Sequence, residues 1–373
     1  MAASETQLLV ISNGEGYVWN FSTLVFAQIT DADFPADAVD CEFSDGYFIV
    51  LADNTIYLSA NNDATSWDAL DFLTVASSAN NLVANHIDHR QLIAFGDRIT
   101  QVFNNTGAES VYEADGQGII QMGLAARHSV VRLDNTTYFL GENENGRGMI
   151  FKLDGYLPAR VSDHALEQAI QRYTTISDAV AYGFQWQGHH FYRITFPTPN
   201  KTWQLDVNTG KWTEITYLNN GSEQAHLGLV YAYAFGKHIV GSRLNNQLYE
   251  FSATTYADAG DAIQRIRRTS RIGNRVFEVL CTDPVFWAFV TAHLWVREGL
   301  DGKRTFFDRL ELVMQTGIGL SVAEGALGHT PLVQLRWSDD GGQTWSSYMT
   351  SSAGAQGQYR TKVFWTRLGS VEN

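Results

Sequence analysis

The chain has 373 residues, of which 45% are hydrophobic, 13% aromatic and 18% charged. This composition supplies a large core and excludes intrinsic disorder as the main state. The 26 basic and 40 acidic residues give a net charge of −14. Such a charge excludes a protein that grips DNA or an anionic membrane over its whole surface. Length alone favours two or three domains.

The cysteine content and the hydropathy pattern exclude further classes of protein. Cys41 and Cys281 are too far apart in sequence, and too few, to predict a disulfide framework or a cysteine-based zinc site. The first residues lack the positive charge that begins a secretory signal. The longest apolar stretch, residues 285–296, is interrupted by Thr291 and His293 and is too short to span a bilayer. We therefore expect a soluble protein that belongs to, or is assembled in, a reducing compartment.

Alternation of apolar and polar residues, which is typical of β-strands, dominates the first 250 residues. Six segments have the pattern of two strands joined by a turn. They are residues 8–19, 46–57, 91–103, 129–140, 190–206 and 238–251. Their spacing is close to the repeat of about 40–50 residues found in propeller blades. Because each blade needs neighbours to cover its faces, the array closes into a ring. The pattern predicts an all-β protein with a β-propeller of about six blades.

One helix is predicted to interrupt this pattern, from Ser162 to about Tyr173. Leu166, Ile170 and Tyr173 recur at helical spacing and form one apolar stripe. Ser162 is the predicted N-cap, and Asp163 suits the first turn. We expect the helix to pack across a blade edge.

The character of the sequence changes after about residue 261. We place a domain boundary near residue 262, which gives a propeller over residues 1–262 and a C-terminal β-sheet domain over residues 263–373. A cluster of basic residues opens the second domain: Arg265, Arg267, Arg268, Arg271 and Arg275. In an acidic chain, these arginines predict a salt-bridged contact between subunits or an ordinary solvated strand face. A surface that faces DNA is the weaker alternative.

Residues 338–345 match the Asp-box pattern S-x-D-x-G-x-T-W through Ser338, Asp340, Gly342, Thr344 and Trp345. We expect these residues to stabilise a hairpin. The Asp340 carboxylate would accept backbone N–H bonds of the turn, Gly342 would adopt a positive φ and Trp345 would be buried. Asp-boxes are common in sialidases, which raises the alternative of a glycan-binding or sialidase-like propeller. However, no spacing singles out the carboxylate pair or the tyrosine nucleophile of a glycosidase. We therefore expect no enzymatic activity.

Other polar motifs are better explained by structure than by chemistry. His86 and His89, and the adjacent His189 and His190, lack a third ligand at zinc-site spacing. The acidic segment 31–37 lacks the glycine and the final glutamate of a calcium loop. No phosphate-binding loop or dinucleotide fingerprint occurs. The sequence predicts neither a metal site nor a cofactor.

From about Met149 onward, the chain contains an ordered set of short segments that together span about 60% of its length. They are residues 155–162, 188–192, 195–197, 202–206, 210–212, 240–241, 310–312, 315–320, 335–345, 357–359 and 365–369. In this ordered combination, the chain resembles the tail-hub proteins of short-tailed bacteriophages, also called packaged-DNA stabilisation or tail-nozzle proteins.

The resemblance implies a non-enzymatic part of the virion tail, assembled in the host cytoplasm. Proteins of this family are similar in forming a six-fold ring below the portal and its adaptor. They carry tail fibres or spikes and the tail tip, and the ring helps to retain packaged DNA. The genome passes through the channel without being bound tightly. Oligomeric state separates this hypothesis from the sialidase-like one, because a nozzle must form a ring and a sialidase works as a monomer.

Overall fold

The computed structural model describes most of the chain. The described residues are 1–373 with the exception of 76–80, 109–110, 145, 220–221, 253–254, 256, 264, 270, 273, 282–288, 300–301, 326–327 and 373. They form two compact units: residues 1–216 with 224–250, and residues 217–223 with 251–373. The boundary that the sequence predicts near residue 262 falls after this division, within the second unit.

The first unit contains six antiparallel sheets in chain order, each one blade of a propeller. Blade 1 is β1 Ala2–Ala3, β2 Gln7–Ser12, β3 Glu15–Asn20 and β4 Val25–Gln28. Blade 2 is β5 Asp40–Ser44, β6 Tyr47–Ala52, β7 Thr55–Ala60 and β8 Asp63–Thr74. Blade 3 is β9 Leu82–Asp88, β10 Gln91–Gly96, β11 Thr100–Asn105 and β12 Tyr112–Ile120.

The remaining blades differ more in their strand number. Blade 4 is β13 Gly123–Leu124, β14 Val131–Leu133, β15 Thr136–Asn143, β16 Gly146–Asp154 and β17 Leu157–Arg160, with a 3-10 helix at Arg127–Ser129. Blade 5 is β18 Val180–Trp186, β19 His189–Phe196, β20 Lys201–Asp206 and β21 Lys211–Glu214. A two-stranded sheet follows, β22 Thr216–Asn219 with β23 Ser222–Ala225. Blade 6 is β24 Gly228–Ala234, β25 Lys237–Ser242 and β26 Leu248–Glu250.

The six predicted hairpins are confirmed, and each lies within a different blade. Their turns use residues that tolerate left-handed backbone: Asp53 and Asn54 have φ of 43° and 60°, and Asp134 and Asn135 have 50° and 58°. The last hairpin differs from its prediction. Its strands are joined by residues 243–247 rather than by two asparagines, because the Ser242 hydroxyl accepts bonds from two backbone N–H groups of a wider loop.

Apolar clusters lie between successive blades and make up the propeller core. One cluster joins blades 1 and 2, a second joins blades 2 and 3, a third joins blades 3 and 4, and a fourth joins blades 4 and 5. Because side chains alternate between the two faces of a blade, blades 2, 3 and 4 each have an apolar cluster on both faces. This arrangement is the reason that hairpins of ordinary length can form a large unit.

The single α-helix of the described residues, α1 His164–Gln171, packs its Leu166 and Ile170 into the cluster of blades 4 and 5. It is shorter than predicted, and its N-cap is Asp163 rather than Ser162. Asp163 has extended backbone and its carboxylate accepts the N–H of Leu166 at 2.7 Å. Ser162 is engaged elsewhere, since its hydroxyl accepts the N–H of Ile150.

The second unit is a β-sandwich. One sheet contains β29 Arg265–Arg268, β30 Val276–Cys281, β33 Leu332–Ser338 and β34 Met349–Ser352. The other contains β31 Phe289–Glu298, β32 Arg304–Met314, β35 Val363–Thr366 and β36 Ser370–Glu372. The short strands β27 Ala257–Asp258 and β28 Asp261–Ala262 pair with each other. Buried side chains of both sheets, such as Phe277, Phe307 and Trp365, form one core.

Candidate functional site

The five Asp-box residues lie at the end of β33, which contributes Ser338, and in the loop that follows it. The Asp340 carboxylate accepts the backbone N–H groups of Gln343 and Thr344 at 2.9 Å, and the hydroxyls of Thr344 and Ser338 at 2.6 and 2.7 Å. The Ser338 hydroxyl in turn accepts the N–H of Gly342 at 2.7 Å. Gly342 has a φ of 101°. These bonds, led by the one from the Thr344 hydroxyl, hold the pKa of Asp340 well below its ordinary value of 3.8.

Trp345 is only half-buried, whereas the sequence analysis predicted a buried side chain. Its indole N–H donates to the carbonyl of Gly342 at 3.1 Å. The guanidinium carbons of Arg336 and Arg268 lie 4.6 and 5.6 Å from the centre of its ring. The Asp-box therefore holds Trp345 as a platform for two arginines instead of placing it in the sandwich core.

Both arginines converge on one buried acid, Glu278 of β30. The Glu278 side chain has no exposed surface, and its two oxygens lie 2.6 Å from Nε of Arg268 and Nε of Arg336. Burial raises the pKa of Glu278, but the hydrogen bonds and charges of Arg336 and Arg268 outweigh it, so the pKa lies below its ordinary value. A network of Glu278, two arginines and Trp345 thus holds together β29, β30, β33 and the Asp-box loop.

The basic cluster is spread over several environments. Arg275 is 3% exposed and pairs with Asp339 at 2.5 and 2.8 Å, while its guanidinium also donates to the carbonyl of Leu368. Arg271 is exposed, and the side chains of Arg265 and Arg267 on β29 lie outside the described residues. Arg275 therefore acts inside the sandwich. A subunit contact made by this cluster stays a prediction that concerns its more exposed members.

Glu278 and Arg336 were not predicted as members of any site. The available signal was a glutamate in the apolar strand Val276–Cys281, because a buried acid requires a cationic partner. The partner itself could not be read from the sequence, since Arg336 lies on another strand.

The histidine and aspartate motifs have local partners. His86 lies 3.5 Å from Glu42, His89 lies 3.0 Å from Asp88, and His189 lies 2.9 Å from Asp206. Asp31 accepts the backbone N–H groups of Asp33 and Trp67 at 3.0 and 2.9 Å, which ties the acidic loop to blade 2. Among the residues that the structure describes, no group of three or more His, Cys, Asp or Glu side chains is arranged to hold a metal ion.

A cavity of 410 Å³ is lined by Met1 and by residues of blades 2 to 6. Blades 2 and 3 supply polar residues from their first strands, β5 and β9: Asp40, Glu42, Asn85 and His86. Burial raises the pKa of Asp40 to about 6, although its carboxylate accepts the N–H groups of Asn85 and Cys41. Blade 4 also supplies Arg127 and His128, and blades 4 to 6 supply apolar residues: Val130, Val180, Ala181, Leu229 and Val230.

No helix among the described residues is long and apolar enough to cross a membrane. Comparison with curated proteins finds no match. Among solved structures, the chain is 11% identical to a dihydro-heme d1 dehydrogenase, NirN, with a TM-score of 0.41 over 97% of this chain and 66% of that one. It is also 11% identical to BamB from Moraxella catarrhalis, with a TM-score of 0.37 over 82% and 92% of the two chains. Both similarities are too low to inform on function.

Family models give a definite result over nearly the whole chain. Residues 1–256 match the β-propeller of bacteriophage P22 Gp10, and residues 286–373 match the β-sandwich of the same protein. The two matches occur in the order in which the two folds occur here. The chain therefore belongs to the bacteriophage P22 Gp10 family, and it is a tail-associated structural protein of a bacteriophage with a β-propeller fold.

Proposed function

We propose that this protein forms the tail hub, or nozzle, of a short-tailed bacteriophage. Six copies make a ring below the portal and its adaptor proteins. The ring carries fibres or spikes and the tail tip, and its channel retains the packaged genome and then lets it pass. The match of both parts of the chain to one phage protein carries this proposal.

Two features of the described residues support a non-enzymatic role. The Asp340 carboxylate is saturated by hydrogen bonds from its own turn, so it has no lone pair to spare for an acid–base step. Glu278, a buried acid of the same region, is held by two arginines. Both arrangements stabilise a β-sandwich.

Electron cryomicroscopy of tails from virions that contain this chain tests the proposal. We expect six copies around the tail axis, between the adaptor and the tip. A single copy, or a position away from the axis, would refute the hub. Monomers of the purified protein in dilute solution are compatible with it, because the adaptor can act as the template of the ring.

A glycan assay separates the sialidase-like alternative. We expect neither cleavage of a fluorogenic sialoside nor retention on a sialylated glycan array at micromolar protein. Activity that survives purification and is lost in Asp340→Ala, without a change in the melting temperature, would favour a glycan-directed function instead.

A further inference from the structure

The last blade of the propeller covers only one of its two sheet faces. In blade 6, Tyr231 of β24 lies opposite Val240 of β25, so both side chains lie on the same face. Tyr231 stacks on Tyr182 of blade 5, with ring centres 5.6 Å apart, and this face is therefore covered. The opposite face carries Val230 and Leu248, which are 56% and 73% exposed.

This uncovered face of blade 6 is continuous and apolar. Val230 and Leu248 both lie opposite Gly241, on the two sides of it in the sheet. A side chain at Gly241 would overlap Val230, so the glycine lets Val230 lie across the middle strand. Ala232 and Ile239 form the next row of the same face. We call these four apolar side chains the open face of blade 6: Val230, Ala232, Ile239 and Leu248.

Blade 1, at the other end of the series, has the same asymmetry. Its Leu9 and Val18 lie opposite each other and are buried in the cluster that joins blades 1 and 2. The other face carries Leu8, Trp19 and Phe26 in one row across β2, β3 and β4. Phe26 is 52% exposed, and Leu8 and Trp19 are half-buried.

A second row extends this face of blade 1. Val10 and Tyr17 lie opposite each other and are half-buried. The Tyr17 ring stacks on Phe26 with ring centres 5.6 Å apart, and the Trp19 ring lies 6.3 Å from Phe26. The rings therefore form one aromatic surface on one side of the blade. We call it the open face of blade 1: Leu8, Val10, Tyr17, Trp19 and Phe26.

The two open faces do not bury each other within one chain. Apolar clusters join blades 1 to 5 in series, but no apolar cluster of the described residues joins blade 6 to blade 1. The exposure of Val230, Leu248 and Phe26 agrees with this absence. Contiguous exposed apolar surface of this kind marks a site of interaction with another molecule.

Charge selects the kind of partner. Residues 1–89 contain no lysine or arginine, so blade 1 offers neither side chain to DNA phosphates or anionic lipids. On blade 6, Nζ of Lys237 lies 2.7 Å from the Glu250 carboxylate, so the two charges beside the open face compensate each other. Both open faces therefore suit an apolar protein surface.

We propose that the open face of blade 6 packs against the open face of blade 1 of a second copy of this chain. Blade 6 leaves open the face with which earlier blades meet the following blade, and blade 1 leaves open the face with which later blades meet the preceding one. The contact between copies thus repeats the packing between blades. It joins two different surfaces, so it links copies head to tail and can close into a ring. The contact deepens the tail-hub proposal, on which closure at six copies rests.

Leu248→Glu and Phe26→Glu test the contact in the full-length protein. Each variant places a charge in the apolar interface and should weaken self-association roughly tenfold or more, as measured by sedimentation velocity over a series of protein concentrations. Both side chains are exposed in the single chain, so the melting temperature should stay the same. The control is Leu157→Glu, because Leu157 is also 73% exposed but lies on β17 of blade 4. Its self-association should equal that of the parent.

Cross-linking identifies the surface that covers each open face. Two single variants, Leu248→Cys and Phe26→Cys, are mixed at high concentration and treated with a short bismaleimide. The native Cys41 and Cys281 are buried and should not react. We expect a cross-linked dimer in the mixture and much less in either variant alone. A mixture of Leu157→Cys with Phe26→Cys is the control and should give no dimer above that background.

The double variant Phe26→Cys/Leu248→Cys separates a second copy from closure within one chain. We expect a ladder of cross-linked oligomers. An internal cross-link without oligomers would show that the two faces cover each other within one chain, which would overturn the inference. Cross-linking no stronger than in the control mixture would overturn it too, and so would self-association that both glutamate variants leave unchanged.

This contact and the tail hub can fail separately. A six-fold ring on the tail axis that is held together by other surfaces would refute the contact and leave the hub intact. Head-to-tail cross-linking of a protein that lies away from the tail axis would refute the hub and leave the contact intact.

Discussion

At the scale of single residues, the second unit depends on carboxylates that are saturated by their surroundings. Asp340 is surrounded by donors of its own turn, and Glu278 by two arginines. Such groups stabilise a fold only while they are ionised. Their substitution should therefore affect stability before it affects any interaction.

Replacement of Asp340 by alanine should lower the melting temperature of the second unit, because the N–H groups of Gln343 and Thr344 lose their acceptor. Asp340→Asn should have a smaller effect, since its amide oxygen still accepts one of these bonds. Differential scanning calorimetry at pH 7 measures both. An Asp340→Ala protein that melts at the same temperature as the parent would show that the Asp340 hydrogen bonds do not stabilise the second unit.

The two carboxylates also predict an acid-sensitive unit. The folded pKa values of Asp340 and Glu278 lie below their ordinary values of 3.8 and 4.5. The stabilisation is therefore complete above these ordinary values, and it is lost as the pH falls through the folded pKa values. Melting curves between pH 7 and pH 3 should show the second unit losing stability below about pH 4.5, less steeply in Asp340→Asn.

Glu278→Ala should destabilise the second unit by roughly 3 kcal/mol. This is the lower end of the range for breaking a buried ion pair, because solvent reaches both guanidiniums that the change leaves unpaired. Urea unfolding measures the difference. Glu324→Ala, which removes an exposed glutamate of the same unit, is the control and should be neutral. Equal stability of the two variants would show that the network contributes nothing.

At the scale of secondary structure elements, close packing between blades requires glycine where one backbone approaches another. A side chain at Gly123 of β13 would overlap the backbone of Asp97 in blade 3. Gly123→Ala should thus force the two blades apart and destabilise the first unit by about 1–3 kcal/mol.

Gly116→Ala is the matched control for that substitution, since no atom lies within 4 Å of the added methyl group and Gly116 does not have positive φ. It should leave stability unchanged or raise it slightly. Calorimetry of both variants measures the difference in stability. Unchanged stability of Gly123→Ala would mean that the backbone of Asp97 can move away from the added methyl group.

The N-cap of α1 makes a smaller contribution to the stability of the first unit. Asp163→Ala removes the side-chain acceptor of the Leu166 N–H and should cost about 1 kcal/mol. Gln168→Ala, at an exposed position of α1, should be close to neutral. If both variants had the same unfolding free energy, Asp163 would not be the effective cap.

At the scale of the whole molecule, the net charge of −14 governs behaviour toward DNA. We expect the purified protein to bind duplex DNA only with a dissociation constant of about 10⁻⁶ M or weaker at physiological salt, as non-specific contacts do. Fluorescence anisotropy over a salt series measures it. Nanomolar binding that is lost in Arg271→Glu would show instead that the exposed part of the basic cluster clamps DNA.

The sequence by itself determined the repeating hairpins, and with them the fold class. Turn residues such as Asp53 and Asn54, and alternation along each strand, act locally, so they can be read without knowing any distant partner. The Asp-box could be predicted for the same reason, because its bonds join residues within one loop. The predicted N-cap of α1 was wrong by one residue, because the Ser162 hydroxyl instead accepts a hydrogen bond from the Ile150 N–H of β16.

Only the tertiary structure decided which residues meet across the fold. Glu278 pairs with Arg336 on another strand, Arg275 is buried against Asp339, and one cavity is lined by residues from blades 2 to 6. These partners are separated by dozens of residues in the chain. A buried polar group destabilises the fold unless such a partner lies within hydrogen-bonding distance. Sequence patterns report which face of a strand is apolar, but they carry no record of which distant side chain will face a buried charge.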